Sequence, residues 1–198
     1  MYHDGNRRLQ DQFDSRRMAD RLQEKTVHHA FTEQDRALIE GAPFFFLATA
    51  DAQGRPDCSF KGGMPGFVRV VGPAELAFPD YDGNGMFKSL GNILVNPAVG
   101  LLFIEMGEKP RRVRVNGAAE VSRDDPLMQC FVGAQLLVRV KADVIFPNCP
   151  RYIVTPGSPE PSKYAPRPGY QPPEPAWKGF EEFRDYVHPR QTTPSGEP

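Results

Sequence analysis

The residues best suited to chemistry lie in one stretch, FPDYDGNGMFKSLGNILVNP, from Phe78 to Pro97. A glycine-rich loop, DGNG, precedes a short amphipathic segment that begins with Lys88 and Ser89. The start of a helix offers free backbone N–H groups and a partial positive charge, and Lys88 and Ser89 add a full charge and a hydroxyl. Glycines let the backbone come close to a ligand. The pattern indicates an anion site, although an ordinary turn followed by a solvated lysine would have the same composition.

Two other places in the sequence carry basic side chains in strand-like surroundings. Lys61 ends the segment DCSFK and precedes Gly62 and Gly63, which would leave open space beside it for a flat ring. Arg112 and Arg114 share one face of RVRVNGAAEV, whose other face is apolar. Charges at a strand end or on a solvent-facing strand are common, so a plain surface role stays open for all three side chains.

Polar residues around the loop complete the candidate binding set. Asp80 and Tyr81 end the strand-like run before the loop, and Asn84 lies within it. Asn92 follows Lys88 by about one helical turn, so both side chains would reach the same ligand. The structural alternatives are core packing for Tyr81 and a capping or solvent-facing role for Asn92.

Cysteine and histidine show no metal-binding or catalytic pattern. The three cysteines, Cys58, Cys130 and Cys149, are odd in number and far apart, which predicts free thiols. The pair His28-His29 has no third ligand in sequence range. We expect no metal site and assign no catalytic role to Cys149.

Helical patterns occupy the first part of the chain. Apolar positions among many charges predict one amphipathic helix over 7–25. A second helix is predicted after the N-cap Thr32, with acidic Glu33 and Asp35 in its first turn and Gly41 at its end.

Short apolar or alternating segments then predict a series of strands. The predicted strands are 44–50, 57–61, 67–71, 75–78, 99–105, 112–121 and 135–146, with a short helix over 124–132. Most links between them are too short for a crossover helix, so the strands must be antiparallel. The pattern predicts a mainly β protein, a β-barrel with flanking helices.

The composition changes from Thr155 onward, where eleven of the 21 prolines lie. Such a segment cannot be regular helix or sheet, but its aromatic residues are too many for a purely solvated tail. We expect an extended arm that packs on its own domain or on a partner subunit. The predicted organisation is an N-terminal helical extension over 1–41, a barrel domain over 42–154 and a Pro-rich arm over 155–198.

Bulk composition excludes several classes of protein. The net charge of −1 provides no basic field for nucleic acid. No apolar run approaches the roughly 20 residues that span a bilayer, and the opening MYHDGNRRLQ lacks the apolar core of a signal peptide. We expect a cytoplasmic protein with neither nucleic-acid nor membrane partners.

Several of these blocks together resemble a known family. A strand ending in Lys61, the block YDGNGMFKSLGNILVNPAVGLLFIE over Tyr81–Glu105, and RRVRVNGAAEV over Arg111–Val121 are similar to the pyridoxamine 5′-phosphate oxidase-like family of FMN-binding split barrels. LQDQFDSRRMADRL and FPNCPRYI resemble its uncharacterised bacterial branch. The resemblance covers roughly residues 7–153.

The resemblance implies an antiparallel split barrel of the FMN-binding type, in a homodimer with FMN in grooves at the interface. By position, Lys61, Lys88 and Ser89 would hold the FMN phosphate, and Arg112 would reach toward the flavin. The predicted cofactor site combines these residues with those identified above from their type and spacing. Its members are Lys61, Asp80, Tyr81, Asn84, Lys88, Ser89, Asn92, Arg112 and Arg114.

The sequence also departs from the vitamin B6 oxidases of this family. Ser89 stands where those enzymes carry a second basic residue, and the ending HPRQTTPSGEP lacks their Arg-containing segment. The expected function is therefore an FMN-dependent oxidoreductase of an unidentified small molecule. The alternatives are a non-catalytic flavin-binding or carrier protein, or a split-barrel protein that uses the deazaflavin F420 or haem.

Overall fold

The computed structural model of the protein describes residues 1–107, 109–153, 157 and 162–187. They group by contacts into two units, one of residues 1–27 with the described part of 163–198, and one of residues 28–162. Parts of the predicted Pro-rich arm over 155–198, at 155–156, 158–161 and 188–198, lie outside the described residues.

The smaller unit begins with two helices, α1 (Asp4–Gln12) and α2 (Arg16–Thr26). The prediction of one helix over 7–25 was wrong, because Asp14 adopts a left-handed conformation with φ of 45° and interrupts the helix. The α1 and α2 helices are held together by an ion pair between Arg7 Nη1 and Asp20 Oδ1 at 2.6 Å.

The described part of the Pro-rich arm packs against α2. The Tyr186 ring lies 5.5 Å from the Arg17 guanidinium carbon and 5.2 Å from that of Arg21, and Arg21 Nε donates to the Glu182 carbonyl at 2.9 Å. Two short 3-10 turns, Ala176–Gly179 and Arg184–Tyr186, are its only regular structure within the described residues. Within the described residues, the ring of Tyr186 thus packs on α2.

The larger unit is a seven-stranded antiparallel sheet with two helices. Its elements are α3 (Glu33–Gly41), β1 (Phe44–Ala50), β2 (Pro56–Gly62), β3 (Arg69–Gly72), β4 (Glu75–Tyr81), α4 (Lys88–Val95), β5 (Ala98–Glu105), β6 (Arg111–Ser122) and β7 (Ala134–Pro147). The spatial order is β2-β1-β5-β6-β7-β4-β3, and all pairings are antiparallel. The sheet confirms the predicted mainly β, split-barrel architecture. A 3-10 turn over Pro126–Cys130 replaces the helix predicted at 124–132.

The barrel is filled by the inward residues of alternating strands. Phe45 is fully buried and its ring centroid lies 4.9 Å from that of Phe78 and 5.0 Å from that of Phe103. The alternation places every second side chain of β1 in this core, which is why FFFLATA forms a strand.

Helix α3 closes one side of the core. Thr32 caps it as predicted, since its Oγ1 accepts from the Asp35 N–H at 3.1 Å and Asp35 Oδ2 accepts from the Thr32 N–H at 2.9 Å. Leu38 and Ile39 are buried in the barrel core. By contacts α3 groups with the barrel, whereas the predicted division placed it in the N-terminal extension.

Candidate functional site

A cleft of the larger unit lies between β2, the end of β4 and the start of α4. It has a volume of about 680 Å³, within the range of roughly 300–1,000 Å³ that ligand pockets occupy. Six of the nine predicted site residues line it: Lys61, Asp80, Tyr81, Asn84, Lys88 and Ser89. The stretch around the glycine-rich loop, which carries the family resemblance, therefore forms one wall of a ligand-sized cleft.

Strand β2 supplies one wall through alternate residues. Asp57, Ser59 and Lys61 line the cleft, and Lys61 and Ser59 pair with Phe45 and Leu47, which point into the barrel core. Since paired residues in an antiparallel sheet share a face, these side chains lie on the inner face of β2.

An ion pair joins the two sides of the cleft. Lys61 Nζ on β2 lies 3.6 Å from Asp80 Oδ1 on β4, and both side chains are largely buried. Strands β2 and β4 are not neighbours in the sheet, so this contact spans the opening of the split barrel.

The start of α4 opens onto the cleft without a side-chain cap. Its N-cap residue is Phe87, in a left-handed conformation with φ of 46°, and no side chain caps the helix there. The first four N–H groups of a helix have no partner within it. Gly85 has a φ of 73° and Asn84 Oδ1 accepts from the Met86 N–H at 3.0 Å, so the loop conformation depends on both residues. Free N–H groups and a helix dipole thus face a ligand-sized space, as an anion site requires.

Ser89 is less available than the sequence indicated. It is buried, and its Oγ lies 2.8 Å from Ser59 Oγ and 3.2 Å from Asp57 Oδ2. A ligand would have to share this hydroxyl with β2.

The charges of the cleft lining are mixed. Lys61 and Lys88 face three carboxylates, those of Asp57, Asp80 and Asp82. Asp82 accepts from Gln135 Nε2 at 3.1 Å and Lys61 is paired with Asp80. Lys88 is exposed and has no ion pair within the described residues. Lys88 is therefore the cation of the cleft that is available to an anionic ligand.

Three predicted site residues lie away from the cleft of the same chain. Asn92 is buried and its Nδ2 donates to Thr49 Oγ1 at 3.0 Å, which fixes α4 on β1. Arg112 and Arg114 lie on β6, on the face opposite to the buried Val113 and Val115.

The diglycine after Lys61 does not provide the predicted open space. A Cβ atom on Gly62 would lie 2.8 Å from Phe60 Cε1, and one on Gly63 would lie 2.7 Å from Phe67 Cγ. These glycines make room for two aromatic side chains of the protein itself, so that part of the prediction was wrong.

Sequence reasoning missed several residues that line the cleft. Asp57 and Ser59 lie four and two residues before Lys61. Side chains at this spacing share one face of a strand, so both residues could have been predicted to lie beside Lys61. Gln135 reaches the cleft through the pairing of Tyr81 with Ala134 across β4 and β7, and no local pattern shows that pairing.

Across the described ranges, no group of three or more His, Cys, Asp or Glu side chains is placed to hold a metal ion. No described helix is long and apolar enough to cross a bilayer. The three cysteines are free thiols.

Fold and cleft together define a split-barrel protein with a ligand-sized opening at a helix start. Residues 31–157 match the family model of pyridoxamine 5′-phosphate oxidase. The chain belongs to this family, which confirms the predicted family. No curated protein matches the sequence.

Solved structures of similar proteins include three bacterial examples. HupZ of Group A Streptococcus is 18% identical, with 59% of this chain and 93% of that one covered and a TM-score of 0.48. An FMN-binding protein of Syntrophomonas wolfei is 13% identical (74% and 96% covered, TM-score 0.44). HutZ, the haem storage protein of Vibrio cholerae, is 19% identical (57% and 91% covered, TM-score 0.43).

Proposed function

We propose that the protein binds FMN in the cleft between β2, β4 and α4. The observation that carries the proposal is the uncapped start of α4, which opens beside the exposed Lys88 onto a cleft of about 680 Å³. A phosphate ester suits free N–H groups at a helix start and a lysine ammonium. Membership in the pyridoxamine 5′-phosphate oxidase family supports the same ligand.

The residues of the cleft divide into groups that would hold FMN and groups that oppose it. Lys88 and the first-turn N–H groups of α4 would hold the phosphate, with Ser89 behind them. Lys61 would provide positive charge deeper in the cleft. Asp57, Asp80 and Asp82 oppose an anion, and their pairing with Ser89, Lys61 and Gln135 reduces that effect.

We propose further that the protein is an oxidoreductase acting on an unidentified small molecule. Bound FMN would supply hydride and electron transfer. The chain would orient the cofactor and exclude water from the inner side of the barrel, and Lys61 would favour negative charge on nearby atoms. A non-catalytic flavin carrier would share all of these contacts, and it would differ in failing to be reduced by NADH or NADPH.

We also propose a cytoplasmic homodimer with FMN at the subunit interface. The outer face of the sheet carries an apolar patch, defined by Phe44, Phe46, Phe60 and Leu102. Phe60 is 63% exposed and also lines the cleft, so the patch continues into the proposed flavin site. A second copy of the chain would cover this patch and lie beside the cofactor.

The experiment is to exchange Lys88 for Glu. The first measurement is the visible spectrum of the purified protein, followed by chromatography of the molecule that heat releases. Lys88→Glu should weaken FMN binding at least about tenfold, roughly 1.4 kcal/mol, because it reverses the charge beside the phosphate. Lys141→Glu is the matched control, since Lys141 is exposed on β7 away from the cleft.

The outcomes separate the proposed ligands. FMN retained equally by both variants contradicts the phosphate site at α4. A colourless protein that takes up no added FMN contradicts flavin binding, and uptake of F420 or haem under the same conditions would select one of the alternative cofactors.

A further inference from the structure

The dipeptide Asn-Gly occurs twice in the chain, in two different structural settings. Asn84-Gly85 lies in the loop between β4 and α4, and Asn116-Gly117 lies within β6. Asparagine before glycine is thermolabile, because the next backbone nitrogen can attack the side-chain carbonyl carbon and glycine has no side chain to hinder it. The chemistry of the two pairs is the same, so the fold determines which of them reacts.

The loop pair leaves space for this reaction. Asn84 and Gly85 are exposed, and apart from the chain neighbours of Gly85 no heavy atom of the described residues lies within 4 Å of the position that its Cβ atom would take. Within the part of the chain that the structure describes, the Gly85 N–H donates no hydrogen bond. Its nitrogen is therefore available as a nucleophile once hydroxide has removed the proton.

A hydrogen bond holds the Asn84 side chain against the backbone of the same loop. Asn84 Oδ1 accepts from the Met86 N–H at 3.0 Å, which closes an Asx turn around Gly85. The turn keeps the side-chain carbonyl carbon of Asn84 beside the Gly85 nitrogen, and the hydrogen bond polarises the C=O group. Both effects favour attack of the nitrogen on that carbon.

The strand pair is held in a geometry that prevents the same attack. Asn116 is exposed like Asn84, so exposure does not distinguish the two. However, β6 lies between β5 and β7 and is paired with both, and a Cβ atom on Gly117 would lie 2.0 Å from the Lys141 carbonyl oxygen. Asn116 Oδ1 is directed toward Gly100 of β5, 3.6 Å from the position of a Cβ atom there. Ring closure at Asn116 would require the strands to separate.

We propose that Asn84 is a site of spontaneous deamidation and that the carboxylate formed weakens the binding of a phosphate group in the cleft. Asn84 lines the cleft together with three carboxylates and two lysines. A further carboxylate there, close in sequence to the N-cap residue Phe87, makes the lining more acidic and competes with a phosphate for the start of α4. The effect on binding rests on the proposed function, whereas the reaction itself does not.

The reaction needs only water. The Gly85 nitrogen gives up its proton and forms a bond to Asn84 Cγ, while the bond from Cγ to Nδ2 breaks and Nδ2 leaves as ammonia with a proton taken from solvent. The resulting cyclic imide joins the side chain of Asn84 to the Gly85 nitrogen. Addition of one water to either of its carbonyl carbons opens the ring to aspartate or isoaspartate. The chain thus takes up water and releases ammonia, and a neutral amide becomes a carboxylate.

The reaction is tested by incubating the full chain at mildly alkaline pH, in buffer and in urea, and by following both Asn-Gly peptides by mass spectrometry. In buffer we expect Asn84 to deamidate many-fold faster than Asn116. In urea, where the sheet is lost, the two rates should approach each other. Asn84→Gln should remove the reaction at this loop, because glutamine forms the corresponding larger ring far more slowly. Asn116→Gln should leave the rate at Asn84 unchanged.

The effect on the cleft is tested with the same samples. Ion exchange separates the deamidated chain from the intact one, and fluorescence titration with FMN compares the two. We expect a several-fold loss of affinity in the deamidated form. Asn84→Asp should reproduce the loss, because that variant keeps an acceptor for the Met86 N–H and changes the charge. Val132→Asp is the control, since it adds a carboxylate at an exposed residue outside the cleft and should leave the affinity unchanged.

Each half of the proposal has a result that would overturn it. Absence of deamidation at Asn84, or equal rates at Asn84 and Asn116 in buffer, would overturn the reaction. Equal FMN affinity of the intact and deamidated chains would overturn the effect on the cleft, and so would an equal loss in Val132→Asp. If the intact chain binds no FMN, the proposed function and this effect fail together, while the peptide rates still decide the reaction at Asn84.

Discussion

At the scale of single residues, two lysines and three carboxylates line the cleft, and their opposite charges determine how well it binds an anion. Lys88 has no ion pair within the part of the chain that the structure describes, whereas Lys61 is already paired with Asp80 at 3.6 Å. A phosphate or any other anion entering the cleft must compete with Asp80 for the Lys61 ammonium. Asp80 is therefore expected to limit the affinity of the cleft for anions. The ion pair between Lys61 and Asp80 is expected to rearrange when a ligand binds.

Exchange of Asp80 for Asn should tighten FMN binding. The variant removes the competitor for Lys61, and a partly buried pair of this kind corresponds to about 1 kcal/mol, or roughly fivefold in affinity. Asp82→Asn is the matched control, because it removes the same charge from the same cleft but leaves Lys61 paired. Fluorescence titration with FMN measures both. An equal gain in the two variants would mean that overall charge, not the Lys61 pair, sets the affinity.

A second residue-scale prediction concerns acid stability at Arg139. This side chain contacts Asp125 Oδ2 at 2.5 Å and Glu75 Oε1 at 2.9 Å, which joins β7 to β4 and to the 3-10 turn. Its guanidinium lowers the pKa of Asp125 below the ordinary value of about 3.9. The carboxylate therefore stabilises the fold above about pH 4, and the contribution is lost as the pH falls through the lowered folded pKa.

Asp125→Asn should lower the free energy of unfolding by about 1–3 kcal/mol at pH 7, since it weakens a charged hydrogen bond and leaves Arg139 with less compensation. Below pH 4 the difference from the parent protein should shrink. Urea unfolding at a series of pH values measures it. A difference that stays constant from pH 7 to pH 3 would show that the charge of Asp125 is not responsible.

At the scale of elements, the strands could be predicted from the sequence, but features that depend on contacts between two elements could not. FFFLATA was predicted as β1 over 44–50, and the structure has the same bounds, because local alternation and burial coincide there. The prediction of one helix over 7–25 was wrong because Asp14, in a left-handed conformation, divides the segment into two helices. The composition of the segment does not indicate a break at Asp14. Gln135 in the cleft could not be predicted, since it depends on the register between β4 and β7.

The pairing of β6 with β7 depends on one glycine. The register shifts between Asn116 and Gly117, and a Cβ atom on Gly117 would lie 2.0 Å from the Lys141 carbonyl oxygen. A side chain there must push the two strands apart, because the atom that it meets is backbone.

Gly117→Ala should therefore destabilise the barrel by at least about 1–3 kcal/mol, the cost of overpacking. Gly91→Ala is the opposing control: nothing lies within 4 Å of its Cβ position, and alanine in a helix is favoured by about 0.5–1 kcal/mol. Thermal unfolding followed by circular dichroism compares the two. Equal midpoints for both variants would contradict the strand contact as the reason for glycine at 117.

At the scale of the whole molecule, the sheet presents ligand chemistry on one face and an apolar patch on the other. The cleft residues Ser59 and Lys61 are inward, and the intervening Phe60 is outward. Because side chains alternate between the two faces of β2, adjacent residues of this strand contribute to the proposed flavin site and to the proposed dimer surface. A second copy that covered Phe60 would also close the edge of the cleft, which couples assembly to cofactor retention.

Phe46→Lys is the variant that tests this coupling. Phe46 lies in the apolar patch against the rings of Phe44 and Phe60, and it does not line the cleft. A lysine there should dissociate the proposed dimer, because an unpaired charge in an apolar interface costs more than the interface can supply at micromolar concentration. Light scattering after size-exclusion chromatography should give a monomer, with FMN affinity reduced although every cleft residue of the chain is intact.

Val132→Lys is the control for a general effect of added charge, since Val132 is 97% exposed and lies in the loop before β7. It should leave both mass and flavin affinity unchanged. A Phe46→Lys protein that folds normally by circular dichroism and stays dimeric would show that the apolar patch is not the interface. A monomer that binds FMN with unchanged affinity would confine the whole flavin site to one chain, and it would separate assembly from the chemistry at α4.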